Sequence, residues 1–106
     1  MVTEISPEEL KALVDAGKAP AVIDVREGWE LEISKLPFAR HMPMDSVPAR
    51  KGELDPAQPL VVMCRSGGRS LKVAQFLERS GFQSVANLTG GILAWGERID
   101  ASLRPY

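Results

Sequence analysis

The chain has 106 residues, 44% of them hydrophobic and 25% charged, with a net charge of −1. That length suits one domain spanning residues 1–106, since domains cluster at roughly 100–150 residues and two halves would each be too small to hold a core without staples. A single cysteine excludes an internal disulfide, a single histidine leaves too few ligands for a Cys/His zinc site, and the near-balanced charge argues against a nucleic-acid binder.

Ser6-Pro7-Glu8-Glu9 marks the start of a helix: Ser6 caps, Pro7 suits the first helical position, and Glu9 completes a capping box. Leu10, Leu13 and Val14 supply its apolar stripe, and Gly17 is its stop. Ala21 to Val25 reads as a buried parallel strand in which Asp24 is the odd member. Glu27 to Ile33 predicts a short helix carrying Trp29 inward. Pro37, Pro43 and Pro48 punctuate an irregular stretch with a short strand near Arg40–Met42, and Asp45 is placed to cap a helical turn through Arg50.

After a connection marked by Pro56 and Pro59, Leu60 to Met63 forms the second buried strand. Cys64-Arg65-Ser66-Gly67-Gly68-Arg69-Ser70 is a loop by composition. Leu71, Val73, Ala74, Phe76 and Leu77 then outline a helical face that stops at Gly81. Ser84 to Leu88 is a third strand, and Gly90-Gly91 turns the chain into a last helix reaching Ile99, with Trp95 in the core. Asp100 to Tyr106 reads as irregular. Strands alternating with helices predict a mainly parallel sheet covered on both faces. No apolar run is long enough to span a bilayer, and Met1-Val2-Thr3-Glu4 lacks the features of a secretory signal, so the expectation is a cytoplasmic protein with an unpaired thiol; its size and the lack of a leftover apolar stripe point to a monomer.

The chemistry points to Cys64. It sits where a buried strand gives way to a glycine-rich loop and a helix, and ligands in open α/β sheets bind beyond the C-terminal ends of strands. Residues 64–81 carry 4 basic groups and 1 acidic one, whereas residues 1–33 carry 3 basic and 8 acidic. Gly67 and Gly68 let successive N–H groups face one concavity, and Arg65 and Arg69 add positive charge. Lowering a thiol pKa from about 8.5 to about 6.5 takes roughly 2.7 kcal/mol of preference for the anion. A helix terminus offers about 0.3–1 kcal/mol, too little alone. Amide hydrogen bonds to charged sulfur, at about 1.5–3 kcal/mol each, would have to supply the rest. No metal and no cofactor is called for. The pattern of a nucleotide-binding P-loop is absent.

These residues resemble the rhodanese (sulfurtransferase) domain over nearly the whole chain. Val22-Ile23-Asp24-Val25-Arg26-Glu27 is similar to that family's first signature, Cys64 to Ser70 resembles its active-site loop, and Gly90-Gly91-Ile92-Leu93-Ala94-Trp95 is similar to its Gly-Gly-x-x-x-Trp signature. The resemblance implies a three-layer α/β/α sandwich around a parallel sheet. It implies that Cys64 takes a sulfane sulfur from a donor such as thiosulfate, carries it as a persulfide, and passes it to cyanide or a thiol. It further implies that the N–H groups of Arg65, Ser66, Gly67, Gly68, Arg69 and Ser70 cradle the sulfur, that Arg69 and Arg65 hold the anionic donor, and that Asp24 and Arg26 support the site without joining the chemistry.

The chain departs from the family at Ser34-Lys35-Leu36-Pro37-Phe38-Ala39, where many members carry Gly-His-Ile-Pro-Gly-Ala, and a locally altered turn with an intact site is expected. His41 is expected at the surface. The C-terminal run through Ile99-Asp100 to Pro105-Tyr106 resembles rhodanese domains fused to enzymes that activate sulfur-carrier proteins, which implies a protein acceptor. Three rival readings share the architecture. A phosphatase or arsenate reductase would carry Cys-x5-Arg, whereas four residues separate Cys64 from Arg69. A non-catalytic interaction domain would have no need of the cysteine. A redox sensor would lack a second cysteine to resolve a sulfenic acid.

Overall fold

The computed structural model describes residues 1–106. Five parallel strands form one sheet: β1 (Thr3–Ile5), β2 (Ala21–Asp24), β3 (Arg40–His41), β4 (Leu60–Met63) and β5 (Val85–Leu88), in the spatial order β1-β5-β4-β2-β3. The helices are α1 (Pro7–Asp15), α2 (Gly28–Ile33), α3 (Val47–Arg50), α4 (Gly68–Arg79) and α5 (Gly91–Arg98), with 3-10 turns at Met44–Ser46 and Lys51–Glu53. No helix is long and apolar enough to cross a membrane.

The sheet is buried on both faces because side chains alternate along each strand. On β4, Leu60 and Val62, followed by Cys64, face a core completed by Val73, Ala74 and Leu77 of α4 and Val47 of α3. Val61 and Met63 face the other side, against Leu10 of α1 and Ile92 and Trp95 of α5. The chain leaves β2 towards β3 and leaves β4 towards β5, on opposite sides. The C-terminal ends of β2 and β4 therefore flank the point where strand order reverses, which is where α/β sheets open a crevice.

Local expectations hold at α1, where Ser6 Oγ accepts from Glu9 N (3.1 Å) and Glu9 Oε1 accepts from Ser6 N (2.9 Å). Four others are corrected. Trp29 points outward, 53% exposed, because α2 buries Glu30 instead. The stretch Cys64–Ser70 is not all loop: Gly67, at φ +111°, caps α4, so Gly68, Arg69 and Ser70 already form its first turn. Asp45 lies within a 3-10 turn and caps nothing. His41 is half-buried, and its Nε2 donates to the Arg26 carbonyl (2.7 Å).

Strand β1 has no counterpart in the sequence reading. It is a three-residue edge strand with two exposed positions, too short to show a period. At the departure from the family pattern, Leu36 enters the core and Ala39 N donates to the Leu36 carbonyl (3.1 Å), closing a turn over Pro37 and Phe38.

Candidate active site

Cys64 follows β4 directly, and its main chain is held from the far side of the sheet. Its carbonyl accepts from Ile92 N (3.0 Å) and the Arg65 carbonyl accepts from Leu93 N (3.1 Å), so the head of α5 is clamped to the start of the loop. This approach explains the glycine at 91. Gly91 adopts φ +59°, and a Cβ there would lie 2.5 Å from the Arg65 carbonyl oxygen and closer still to that of Cys64.

Three donors converge on the Cys64 sulfur. Gly67 N lies 3.1 Å from Sγ, Ser70 N 3.4 Å, and Ser70 Oγ 3.3 Å. The side chain is only 1% exposed. Burial pushes the thiol pKa up. The Ser70 hydroxyl and the Ser70, Gly67 and Ser66 amides push it down and prevail, so the thiol sits below its ordinary value. The donors at the sulfur thus favour the thiolate against the cost of its burial.

The surrounding groups are arranged in pairs. Arg69, on the first turn of α4, forms a two-pronged pair with Glu30 of α2, Nη1 to Oε1 2.7 Å and Nη2 to Oε2 2.9 Å. The Arg69 hydrogen bonds hold the buried Glu30 carboxyl below the usual glutamate range, and Glu30 in turn raises the Arg69 pKa. Arg65 is exposed and stacks its guanidinium 4.8 Å over the Tyr106 ring, which meets Trp29 edge-on at 5.1 Å.

Asp24 and Arg26 form a buried pair at the end of β2. Arg26 Nη2 donates to Asp24 Oδ2 (2.8 Å) and to the Ser34 carbonyl (2.8 Å), Nε donates to both carboxylate oxygens (3.0 and 3.1 Å), and Nη1 donates to the Tyr106 carbonyl. This pair ties β2, the turn after α2 and the C-terminal tail together, and bonds to no atom of Cys64. A fourth assembly lies behind the sulfur. Ser70 Oγ is 2.5 Å from Asn87 Oδ1, and Asn87 Nδ2 donates to the Gly67 carbonyl (3.2 Å) and to the carboxylate of Glu4 on β1 (3.2 Å to Oε2).

Of the residues singled out from the sequence, Gly67 and Ser70 donate to the Cys64 sulfur, and the Ser66 amide helps to lower its pKa. Gly68 and Arg69 sit in the helix turn beside it, and the Arg69 charge attracts a Cys64 thiolate. Arg65 lies further out, against Tyr106. Sequence reasoning missed Glu30, Asn87 and Glu4. Asn87 left a signal, a polar residue inside the apolar run Val85–Leu88. Glu30 left none, being one acid among several between Glu27 and Glu32. The chain has no group of three or more His, Cys, Asp or Glu side chains placed to hold a metal ion.

A parallel α/β sheet with a cysteine ringed by hydrogen-bond donors at the C-terminal end of a central strand defines a class of open α/β proteins whose crevice lies beyond the strand ends. Within that class the chain belongs to the rhodanese-like domain family, whose model matches residues 6–98. It is 38% identical over 94 residues to the putative sulfurtransferase YtwF of Bacillus subtilis, covering 89% of this chain and 90% of that one. It is 34% identical over 94 residues to the putative sulfur carrier protein YrkF of the same organism, covering 89% of this chain but 51% of that protein. It is 40% identical over 89 residues to the rhodanese-like/PpiC domain-containing protein 12, chloroplastic, of Arabidopsis thaliana, covering 80% of this chain and 30% of that protein. A crystal structure of a rhodanese-like domain protein from Staphylococcus aureus superposes with a TM-score of 0.85 at 30% identity, covering 99% of both chains.

Proposed function

We propose that the protein is a rhodanese-type sulfurtransferase in which Cys64 is the nucleophile and carries the sulfur as a persulfide. The observation that supports this most directly is the convergence of Gly67 N, Ser70 N and Ser70 Oγ on Sγ. A buried cysteine that served only as packing would have no use for three donors, whereas a thiolate requires them.

In the first half-reaction the Cys64 thiolate attacks the sulfane sulfur of thiosulfate. The Cys64 S–S bond forms, the donor's own S–S bond breaks, and sulfite leaves with the bonding electron pair. The negative charge moves to the outer sulfur of the persulfide. In the second half, an acceptor nucleophile, cyanide or a thiolate, attacks that outer sulfur, and the Cys64 thiolate departs with the electron pair. This is covalent catalysis in two displacements, with no net proton change at the enzyme. Arg65 and Arg69 supply the positive charge that draws an anionic donor, while Asp24 and Arg26 hold the scaffold.

A protein sulfur carrier is the second class of acceptor, a reading supported by a relative named as a sulfur carrier protein. The four-residue spacing between Cys64 and Arg69, one short of the Cys-x5-Arg of a phosphatase, favours sulfur over phosphate. The protein is expected to act as a monomer in the cytoplasm, where an unpaired thiol persists. The decisive test is intact-mass measurement after thiosulfate treatment. The expected result is a gain of about 32 Da, one sulfur on one covalent site, that cyanide removes and Cys64→Ser lacks. An adduct retained in Cys64→Ser, or none in the wild type, overturns the proposal.

A further inference from the structure

Behind the sulfur stands a residue that no motif marks. Ser70 Oγ lies within hydrogen-bonding distance of two atoms, Cys64 Sγ at 3.3 Å and Asn87 Oδ1 at 2.5 Å. The hydroxyl has one proton to donate. The orientation of the Asn87 amide follows from its neighbours: Nδ2 faces the Gly67 carbonyl (3.2 Å) and the Glu4 carboxylate (3.4 and 3.2 Å), which only accept, so Oδ1 faces Ser70. Glu4 is itself braced by the Thr89 hydroxyl (2.8 Å). Both Ser70 and Asn87 are buried, so no water stands ready to take over a bond that either gives up.

We propose that Asn87 is a positioning residue for Cys64, whose side-chain oxygen competes with the sulfur for the single proton of the Ser70 hydroxyl and thereby sets how firmly the thiolate is held. When Cys64 is a thiol, its S–H donates to Ser70 and Ser70 donates to Asn87. When Cys64 is a thiolate, the hydroxyl turns to the sulfur only by leaving Asn87 Oδ1 without its donor. In the persulfide the inner sulfur is neutral, and the proton returns to Asn87. The Glu4 carboxylate polarises the amide and makes Oδ1 the stronger competitor. The proposal rests on reading Cys64 as the nucleophile, but its measurement needs only the thiol.

The test is the pH profile of Cys64 alkylation by iodoacetamide, read across a double-mutant cycle. Ser70→Ala is expected to raise the midpoint by about one pH unit, the loss of one hydrogen bond to a charged sulfur. Asn87→Leu is expected to lower it by about half a unit, since the hydroxyl is then free to serve the sulfur alone. In the Ser70→Ala background Asn87→Leu is expected to move nothing. The other charged groups near the sulfur are Arg65 and Arg69 of the loop and α4, Glu30 of α2, Asp24 and Arg26 after β2, and Glu4 of β1. They act with or without the Ser70 hydroxyl, so their influence cancels in the cycle.

A shift of equal size in both backgrounds would reveal a loosened loop or a simple charge effect, and would overturn the proposal, as would no shift or an upward one with Ser70 present. Should Asn87→Leu not fold, the exposed Glu4→Gln carries the same test: a smaller downward shift with Ser70 present and none without it, an equal shift in both backgrounds again being fatal. Failure of the nucleophile reading shows separately, as the absence of a thiosulfate-derived adduct on Cys64 whatever the midpoints do.

Discussion

Arg69 and Glu30 lie 39 positions apart in the chain and meet in a two-pronged ion pair beside the loop that follows Cys64. The pair joins α4, which carries the loop, to α2, which follows the strand bearing Asp24. Glu30 is buried and Arg69 half-exposed, so the carboxylate depends on the guanidinium more than the reverse.

Arg69→Ala therefore strands a buried carboxylate. The expected loss of unfolding free energy is about 2 kcal/mol in urea denaturation at neutral pH, and pairing the change with Glu30→Gln restores part of it. The pH dependence follows from the lowered Glu30 pKa. The pair's contribution is complete above the ordinary glutamate value of 4.5 and is lost as the pH falls through the lowered value. The stability gap between wild type and Glu30→Gln is expected to be widest at neutral pH and to narrow in acid. A gap constant down to strong acid would show that the pair contributes nothing through ionisation.

The Cys64 thiol is depressed in pKa and almost shut off from solvent, two properties that separate in kinetics. Iodoacetamide should label it with a midpoint below the ordinary thiol value of about 8.5, yet with a plateau rate slower than that of a free thiol. Urea should reverse both, raising the midpoint and the plateau. A folded-state midpoint at or above about 8.5 contradicts the donor arrangement at the sulfur.

Gly91→Ala should damage the site from a distance. An added Cβ collides with the Cys64 and Arg65 carbonyl oxygens, which are backbone atoms with nowhere to move, and the φ of +59° adds strain. The expected cost is about 3 kcal/mol or more, read as a lowered denaturation midpoint, with sulfur transfer lost beyond what the unfolded fraction explains. Gly52 is the control: nothing lies near its Cβ position, and its alanine variant should behave as wild type.

Much of the site was legible in the sequence because its parts are local. Cys64, Gly67 and Ser70 belong to one strand–turn–helix unit, so the donors and the sulfur are neighbours along the chain as well as in space. Trp29 shows the limit of such reading. An aromatic residue on a short helix reads as core, yet α2 buries a charged residue and leaves the indole at the surface. Six residues are too few for a helical period to announce which face turns inward.

The sequence by itself determined the alternation of strands and helices, the placement of the cysteine at a strand end, and the donor loop that follows, since each depends on residues within a few positions of one another. Only the tertiary structure decided that Glu30 would take up Arg69, that Asn87 and Glu4 would stand behind Ser70, and that β1 would join the sheet beside β5. Those contacts span between 17 and 83 positions of chain, and they form because packing both faces of the sheet brings distant groups together and buries Glu30, Ser70 and Asn87 where water cannot satisfy them.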